Sequence, residues 1–233
     1  MLRATRQPLI VSDRASIRFL AGVGLLRRDL PGLRHSLPYL RSLLPGKSAL
    51  ADGVPMMPFG AIAWLRAYVR PGMKVFEYGS GGSTIFFASH VGQIVSVEHD
   101  PEWYERTAER LGPLPPDNSS YVLQPPDEGA NAEFGSTDER YRSMNFESYV
   151  KTIDDYADED FDLVVVDGRA RTACVLRALP KIRRGRFLLL DDSYRSEYSP
   201  AMAALAGQRR TDFRGLAPYN TDLGQTTVWE IQD

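Results

Sequence analysis

The chain predicts an α/β fold built on a doubly wound, mostly parallel sheet, and three observations carry that reading. Short apolar runs alternate with helical stretches from residue 74 onward. Residues 74–84 read Lys-Val-Phe-Glu-Tyr-Gly-Ser-Gly-Gly-Ser-Thr, a strand end followed by a glycine turn and the start of an apolar helix. Glu98 closes a second run, Gln-Ile-Val-Ser-Val-Glu, 19 residues after Gly79. Alternating β and α elements imply parallel strands with helices on both faces.

The elements follow in order. Residues 1–50 read as two helical pieces, broken near Pro31-Gly32 and stopped at Pro45-Gly46, with 51–58 as a linker. Pro58 opens a helix running to about Val69, which Arg70-Pro71-Gly72 ends. Strands are predicted at 74–78, 93–98, 119–124, 161–166 and 186–191, with helices at 83–91, 101–111 and 170–182. Phe161–Val166 and the run from Arg186 are nearly continuous apolar segments, which suit central strands covered on both faces. Segments 211–216 and 226–231 read as an antiparallel hairpin. The stretch 112–150, with Pro113, Pro115, Pro116, Pro125 and Pro126, is either disordered or a lid. The expected division is a basic helical extension over 1–55 and one cofactor-binding domain over 56–233.

At 43% hydrophobic and 25% charged residues, a 233-residue chain is of the soluble globular class. The single cysteine, Cys174, excludes an intramolecular disulfide and a Cys-cluster zinc site, and its apolar surroundings read as core. The net charge of −2 conceals an asymmetry. Residues 1–50 hold nine Lys/Arg against Asp13 and Asp29, a net +7, leaving −9 on the rest. With Phe19, Leu20, Val23, Leu25 and Leu26, this segment suits a helix packed on its own domain or a partner subunit, or one lying at an anionic lipid surface. The run Phe19–Leu26 is too short to span a bilayer and precedes Arg27-Arg28-Asp29, so neither a signal peptide nor an anchor is expected. A cytoplasmic protein, peripheral at a membrane or dimeric through the extension, is the expectation.

In an open sheet, a carboxylate such as Glu98 reaches the ribose hydroxyls of a nucleoside bound over the glycine turn. A dinucleotide site also uses such a turn. Two details point elsewhere: Glu77, two residues before Gly79, would repel a pyrophosphate and attract an ammonium, and Thr84 stands where G-x-G-x-x-G has its third glycine. Glu77-x-Gly79-x-Gly81 followed by Glu98 resembles the class I S-adenosylmethionine-dependent methyltransferases over about residues 56–231. With Val-Glu-His-Asp, Asp-Gly-Arg-x-Arg and Thr-Thr-Val-Trp, the chain looks like a bacterial subgroup of unassigned acceptor.

That resemblance implies a seven-stranded sheet whose last strand inserts beside the fifth. It implies a cofactor set of Glu77, Tyr78, Gly79, Ser80, Gly81, Ser83, Thr84, Glu98, His99 and Asp167, with His99 beside the adenine. Trp103 or Tyr104 could cover the adenine or simply pack, and Gln124 and Asp127 are candidates for its amino group. Asp167, Asp191 and Asp192 sit at the ends of the fourth and fifth predicted strands, where an open sheet binds ligands. They are the candidate catalytic residues, Asp167 first as base. They also resemble the divalent-cation site of metal-dependent O-methyltransferases, so Mg2+ or a similar ion is a candidate cofactor. Arg169, Arg171 and Arg195 suggest an anionic acceptor or a salt-bridge cluster that lowers the carboxylate pKa values. The expected acceptor is a hydroxyl on a small molecule or glycan. The acidic main domain and the absence of an Asn/Asp-Pro-Pro-aromatic motif argue against a nucleic acid. The rivals are a nicotinamide-dependent oxidoreductase and a cofactor-binding scaffold without catalysis.

Overall fold

The computed structural model describes residues 11–112, 118–136, 138–141 and 143–232. Its elements are α1 (Val11–Leu26), α2 (Ser36–Ser42), α3 (Ala49–Asp52), α4 (Phe59–Tyr68), β1 (Lys74–Tyr78), α5 (Gly82–Ala88), β2 (Gln93–Glu98), α6 (Pro101–Leu111) and β3 (Ser119–Leu123). Then come α7 (Glu147–Lys151), β4 (Phe161–Val166), α8 (Arg171–Ala178), β5 (Ile182–Asp191), α9 (Ser199–Ala204), β6 (Arg209–Leu216) and β7 (Leu223–Ile231). One sheet has the order β3-β2-β1-β4-β5-β7-β6. The first five strands run parallel, and β7 pairs antiparallel with both β5 and β6.

The period-two alternation of each strand divides its side chains between two cores. Phe76, Val95, Val164, Val166, Leu188 and Trp229 face α7, α8 and α9. Val75, Ile94, Leu163, Val165, Leu189 and Val228 face α4, α5 and α6. All six residues of β4 are buried, Asp162 among them, and its other five are apolar without alternation because both faces are covered. Cys174 is fully buried in the first core, as expected.

Several boundaries differ from expectation. The helix predicted over 83–91 ends at Ala88, because His90 and Val91 turn the chain through bonds to the Phe87 carbonyl. The helix predicted over 170–182 ends at Ala178, where Pro180 shortens it to a 3-10 turn over Leu179–Lys181. β5 begins four residues early, carried by an irregular register against Phe161 and Leu163. The linker contains the single turn α3, with Ser48 capping it through a bond from the Ala51 amide and Gly53 closing it in a left-handed conformation. Pro31 starts a 3-10 turn that runs into α2 rather than merely breaking a helix.

The stretch 112–150 contains β3 and α7, joined by a loop in which Asp127 and Asn145 form an antiparallel bridge. Phe146, Tyr149 and Val150 are fully buried, so the described part of this segment is anchored in the first core. Pro113, Pro115 and Pro116 lie outside the described residues.

Asp29 ties the extension to the sheet edge. Its carboxylate accepts from the Leu216 amide at 2.9 Å and the Gly32 amide at 3.0 Å. A Cβ on Gly32 or Gly215 would fall within 2.0 or 2.6 Å of Asp29 Oδ2, so both glycines make room for it. Gly215 also has φ +146, which a side chain would strain. Tyr39, fully buried, donates to the Asn220 carbonyl at 3.0 Å and packs with Leu25, Leu43 and Leu216. Asp29→Ala removes the acceptor of both amides and is expected to cost about 1–3 kcal/mol in urea unfolding. Proteolysis of the extension should accelerate in parallel; an unchanged melt and digestion pattern would deny Asp29 this anchoring role.

Candidate functional site

The parallel strands β1, β2, β4 and β5 end on one edge of the sheet, and a cleft of about 580 Å³ lies there. Gly79, Ser80, Glu98, His99, Asp167 and Asp191 line it, together with Trp103, Tyr141, Arg169 and Arg171. Such a crevice is where open α/β sheets bind ligands.

The glycine turn follows from its residues. Gly79 has φ +91, and a Cβ there would lie 3.0 Å from the Asp167 carbonyl, so the turn passes against β4 without a side chain between them. Thr84, in place of a third glycine, is a structural pivot. Its Oγ1 accepts from the Gly81 amide at 3.0 Å and donates to Glu77 Oε2 at 2.6 Å. Ser96 Oγ donates to the same oxygen at 2.7 Å. Glu77 Oε1 has no hydrogen-bond partner although the residue is fully buried. Burial pushes its pKa up from 4.5 to about 7, with the surrounding hydroxyls pulling the other way.

Glu98 is 2% exposed at the cleft floor. Oε1 accepts from the His99 and Asp100 amides at 2.8 and 2.9 Å, and Oε2 accepts from Ser80 Oγ at 2.6 Å. Ser80 spends its proton on Glu98, so Tyr121 donates to Ser80 Oγ at 2.7 Å. Burial pushes the Glu98 pKa up, but the adjacent His99 side chain, Ser80 and the Asp100 amide together hold it below its ordinary value. Trp103 donates from Nε1 to the Ser80 carbonyl at 2.8 Å, so it both packs on the turn and lines the cleft. Tyr104 instead stacks on Tyr121 at 4.3 Å. His99 Nε2 accepts from Arg169 Nε at 3.3 Å, and Nδ1 lies 2.8 Å from Glu98 Oε1 without hydrogen-bond geometry. Arg169 also contacts Asp138 at 3.2 Å, and the Tyr141 ring meets the His99 ring edge-on at 5.0 Å. The loop after β3 thus supplies one wall of the cleft.

Not every predicted residue gathers here. Tyr78 points into the first core and donates to the Val150 carbonyl at 2.7 Å; only its own carbonyl, accepting from the Asp167 amide, touches the site. Ser83 and Thr84 are buried beneath the turn. Asp127 accepts from the Ser148 amide at the start of α7, and neither it nor Gln124 lines the cleft.

The carboxylate cluster corrects two expectations. Asp167 Oδ1 pairs with Arg171 Nη2 at 2.9 Å, Asp192 Oδ2 accepts from Arg195 at 2.5 Å with Arg171 at 3.8 Å, and Asp191 accepts from Thr226. The Arg171 guanidinium therefore stands between Asp167 and Asp192. Among the described residues, no group of three His, Cys, Asp or Glu side chains is arranged to hold a metal ion, and the predicted Asp167/Asp191/Asp192 metal set is not formed. Arginine does not dominate the titration either. Burial, then the charge of Asp167, drives Asp191 well above the usual carboxylate range. Burial also raises Asp167, against the pull of Arg171. Sequence reasoning missed Arg171 as the centre of the cluster, and it missed the contribution of Thr226 from the antiparallel strand. The Thr-Thr pair in β7 opposite the end of β5 was the available signal. Ala170 and Asp192 adopt positive φ (+46 and +52) on either side of this cluster.

A second cavity of about 550 Å³ lies across the Gly168–Arg171 turn, bordered by Phe134, Asp138, α8 and Tyr198. It shares Gly168, Arg169, Arg171 and Arg195 with the cleft.

No family model matches the chain, and no curated protein matches it in sequence. Solved structures do. A candidate O-methyltransferase from Klebsiella pneumoniae aligns with TM-score 0.54 at 14% identity, over 99% of this chain and 93% of that one. An rRNA methylase from Streptococcus thermophilus aligns with TM-score 0.51 at 14% identity, over 73% and 93%. A candidate methyltransferase from Streptococcus mutans in complex with SAH gives TM-score 0.50 at 14% identity, over 74% and 97%. With five parallel strands, a β7 inserted antiparallel beside β5 and helices on both faces, the chain has the fold of the class I S-adenosylmethionine-dependent methyltransferases.

Proposed function

We propose that this chain is an S-adenosylmethionine-dependent methyltransferase acting on a hydroxyl of a small molecule or glycan. The observation that carries the proposal is the Glu98 carboxylate on the cleft floor, across the glycine turn from Glu77. The donor set fits the cofactor. Glu98 Oε2 has acceptor capacity left for ribose hydroxyls. The partnerless buried oxygen of Glu77 favours an ammonium, reached directly or through a water, over a phosphate. The Gly81 amide, which a pyrophosphate would need, is spent on Thr84.

When bound, S-adenosylmethionine supplies an activated methyl group on a sulfonium, so the protein's task is alignment and proton removal. Gly79, Ser80, Glu98, His99 and Trp103 form the binding wall. The acceptor enters from the cavity beyond the Gly168–Arg171 turn, where Arg169 and Arg195 can meet polar or anionic groups. Asp167 would take the proton that an acceptor hydroxyl gives up when it receives the methyl group. Asp191 lies behind it, held by Thr226, and burial raises both carboxyls above their ordinary values. Arg171 fixes Asp167 in place through its side chain and the Asp167 and Gly168 carbonyls.

Calorimetric titration tests the class first. S-adenosylmethionine and its demethylated product should bind, and Glu98→Ala should weaken both by on the order of a hundredfold, the loss of a charged hydrogen-bond pair. A folded protein that binds NAD and neither of these ligands would make it an oxidoreductase. Asp167→Asn should leave that binding within a few-fold. On any acceptor the native protein methylates, it should lower turnover by about 10²–10⁴-fold; full turnover would remove Asp167 from proton transfer. Glu77 gives a pH signature. Folding lifts its pKa from 4.5 to about 7, so its contribution to stability is full below pH 4.5 and is lost as the pH rises through 7. That change is on the order of 3 kcal/mol, and Glu77→Gln should flatten this part of the profile in thermal melts across pH 4–8. Cofactor affinity should rise over the same window in the native protein only.

A further inference from the structure

The extension presents two apolar stripes, and only one is used. On α1, Gly22 and Leu25 are buried, packed toward Tyr39 and Leu43. Leu20 and Val23 lie around the helix from that stripe and face outward, Leu20 at 69% exposure. Leu30, Leu33 and Leu37 continue the exposed apolar surface at 70, 45 and 58%. Exposed Arg27, Arg28, Arg34 and Arg41 are interleaved with them. Beside this surface, between the extension and α4, lies a groove of about 640 Å³ lined by Pro38, Leu44, Phe59 and Ile62 together with Arg41 and Arg66.

Large exposed aliphatic side chains in such density mark a contact surface rather than ordinary exposure. Charge selects among its occupants. A second copy meeting this face by two-fold symmetry would set Arg27, Arg28, Arg34 and Arg41 against their own counterparts. A nucleic acid would use the arginines but leave the leucines in water. An anionic bilayer satisfies both, with phosphates for the guanidinium groups and acyl chains for the leucines. Among the described residues, no helix is long and apolar enough to cross a membrane, so the segment would lie on the bilayer.

We propose that the basic N-terminal extension is a docking surface for an anionic phospholipid bilayer. Its exposed leucines enter the interface and its arginines meet the lipid phosphates. Docking there also bears on the cleft. Val54 and Tyr219 line the groove while Met56, Asn220 and Leu223 line the cleft, so the same two loops border both. The cleft is thereby held beside the membrane.

The test is sedimentation of the full chain with vesicles of phosphatidylcholine alone and of phosphatidylcholine with phosphatidylglycerol at about 3:1, which needs no cofactor or acceptor. Binding is expected to the anionic vesicles, at least about tenfold tighter than to the neutral ones, and to fall as salt rises past ~0.1 M. Leu20→Ser with Leu37→Ser, both at exposed positions, should leave the melt unchanged and weaken binding by on the order of tenfold or more. Arg27→Gln with Arg28→Gln should do so by about tenfold. Absence of binding by folded protein overturns the proposal, as does binding indifferent to both variant pairs. So does tighter binding to an RNA oligonucleotide than to vesicles, or a dimer in sedimentation velocity that the leucine substitutions dissociate.

Discussion

One buried carboxylate holds the cleft's floor together. Glu77 leaves β1, takes a hydroxyl from Ser96 on β2 and another from Thr84 at the start of α5. Thr84 in turn accepts from the Gly81 amide, so strand, turn, helix and neighbouring strand meet on a single side chain. A carboxylate in such a place is costly unless its oxygens are satisfied. Here one accepts two hydroxyl bonds while the other has no hydrogen-bond partner, and burial lifts the group's pKa to about 7 against the pull of the hydroxyls.

The far wall of the cleft solves a different problem. Three aspartates crowd the ends of β4 and β5, and Arg171 and Arg195 alternate with them: Asp167–Arg171–Asp192–Arg195. Arg171 also ties down the Asp167, Gly168 and Asp191 carbonyls, so it orders backbone as well as charge. The fork geometry of a guanidinium suits this better than an ammonium would. Asp191, sealed between Thr226 and Asp167, lies outside that alternation, and burial rather than pairing sets its protonation. The cluster is a salt-bridge chain with one buried carboxyl outside the pairing.

Joining these walls are the loop after β3 and the extension. Asp138 bridges Arg140 and Arg169, and Tyr141 closes on His99, so the irregular segment contributes charge and aromatic surface where the sheet has none. The extension reaches the opposite side through Asp29 and Tyr39, which fasten it to the β6 edge and to the loop before β7. Its buried stripe explains its position, and its exposed stripe is what position alone leaves unexplained.

The local period of the chain determined a great deal. The five parallel strands, the terminal hairpin, the glycine turn and Glu98 at the end of β2 were legible because strand alternation, helix spacing and glycine conformation act over a few residues. The burial of Cys174 followed from the same patterns. Long-range partners were not legible. Thr84 read as a missing glycine, Asp167, Asp191 and Asp192 read as catalytic carboxylates that also resemble a metal site, and Arg171 read as one cation of several. Thr226 lies 35 residues from Asp191, and Leu216 lies 187 residues from Asp29. Sequence alone determined which segments became strands and where they ended, since that depends on neighbours along the chain. Only the tertiary structure decided which charges met, because burial and pairing are set by side chains that the sheet order brings together from distant segments.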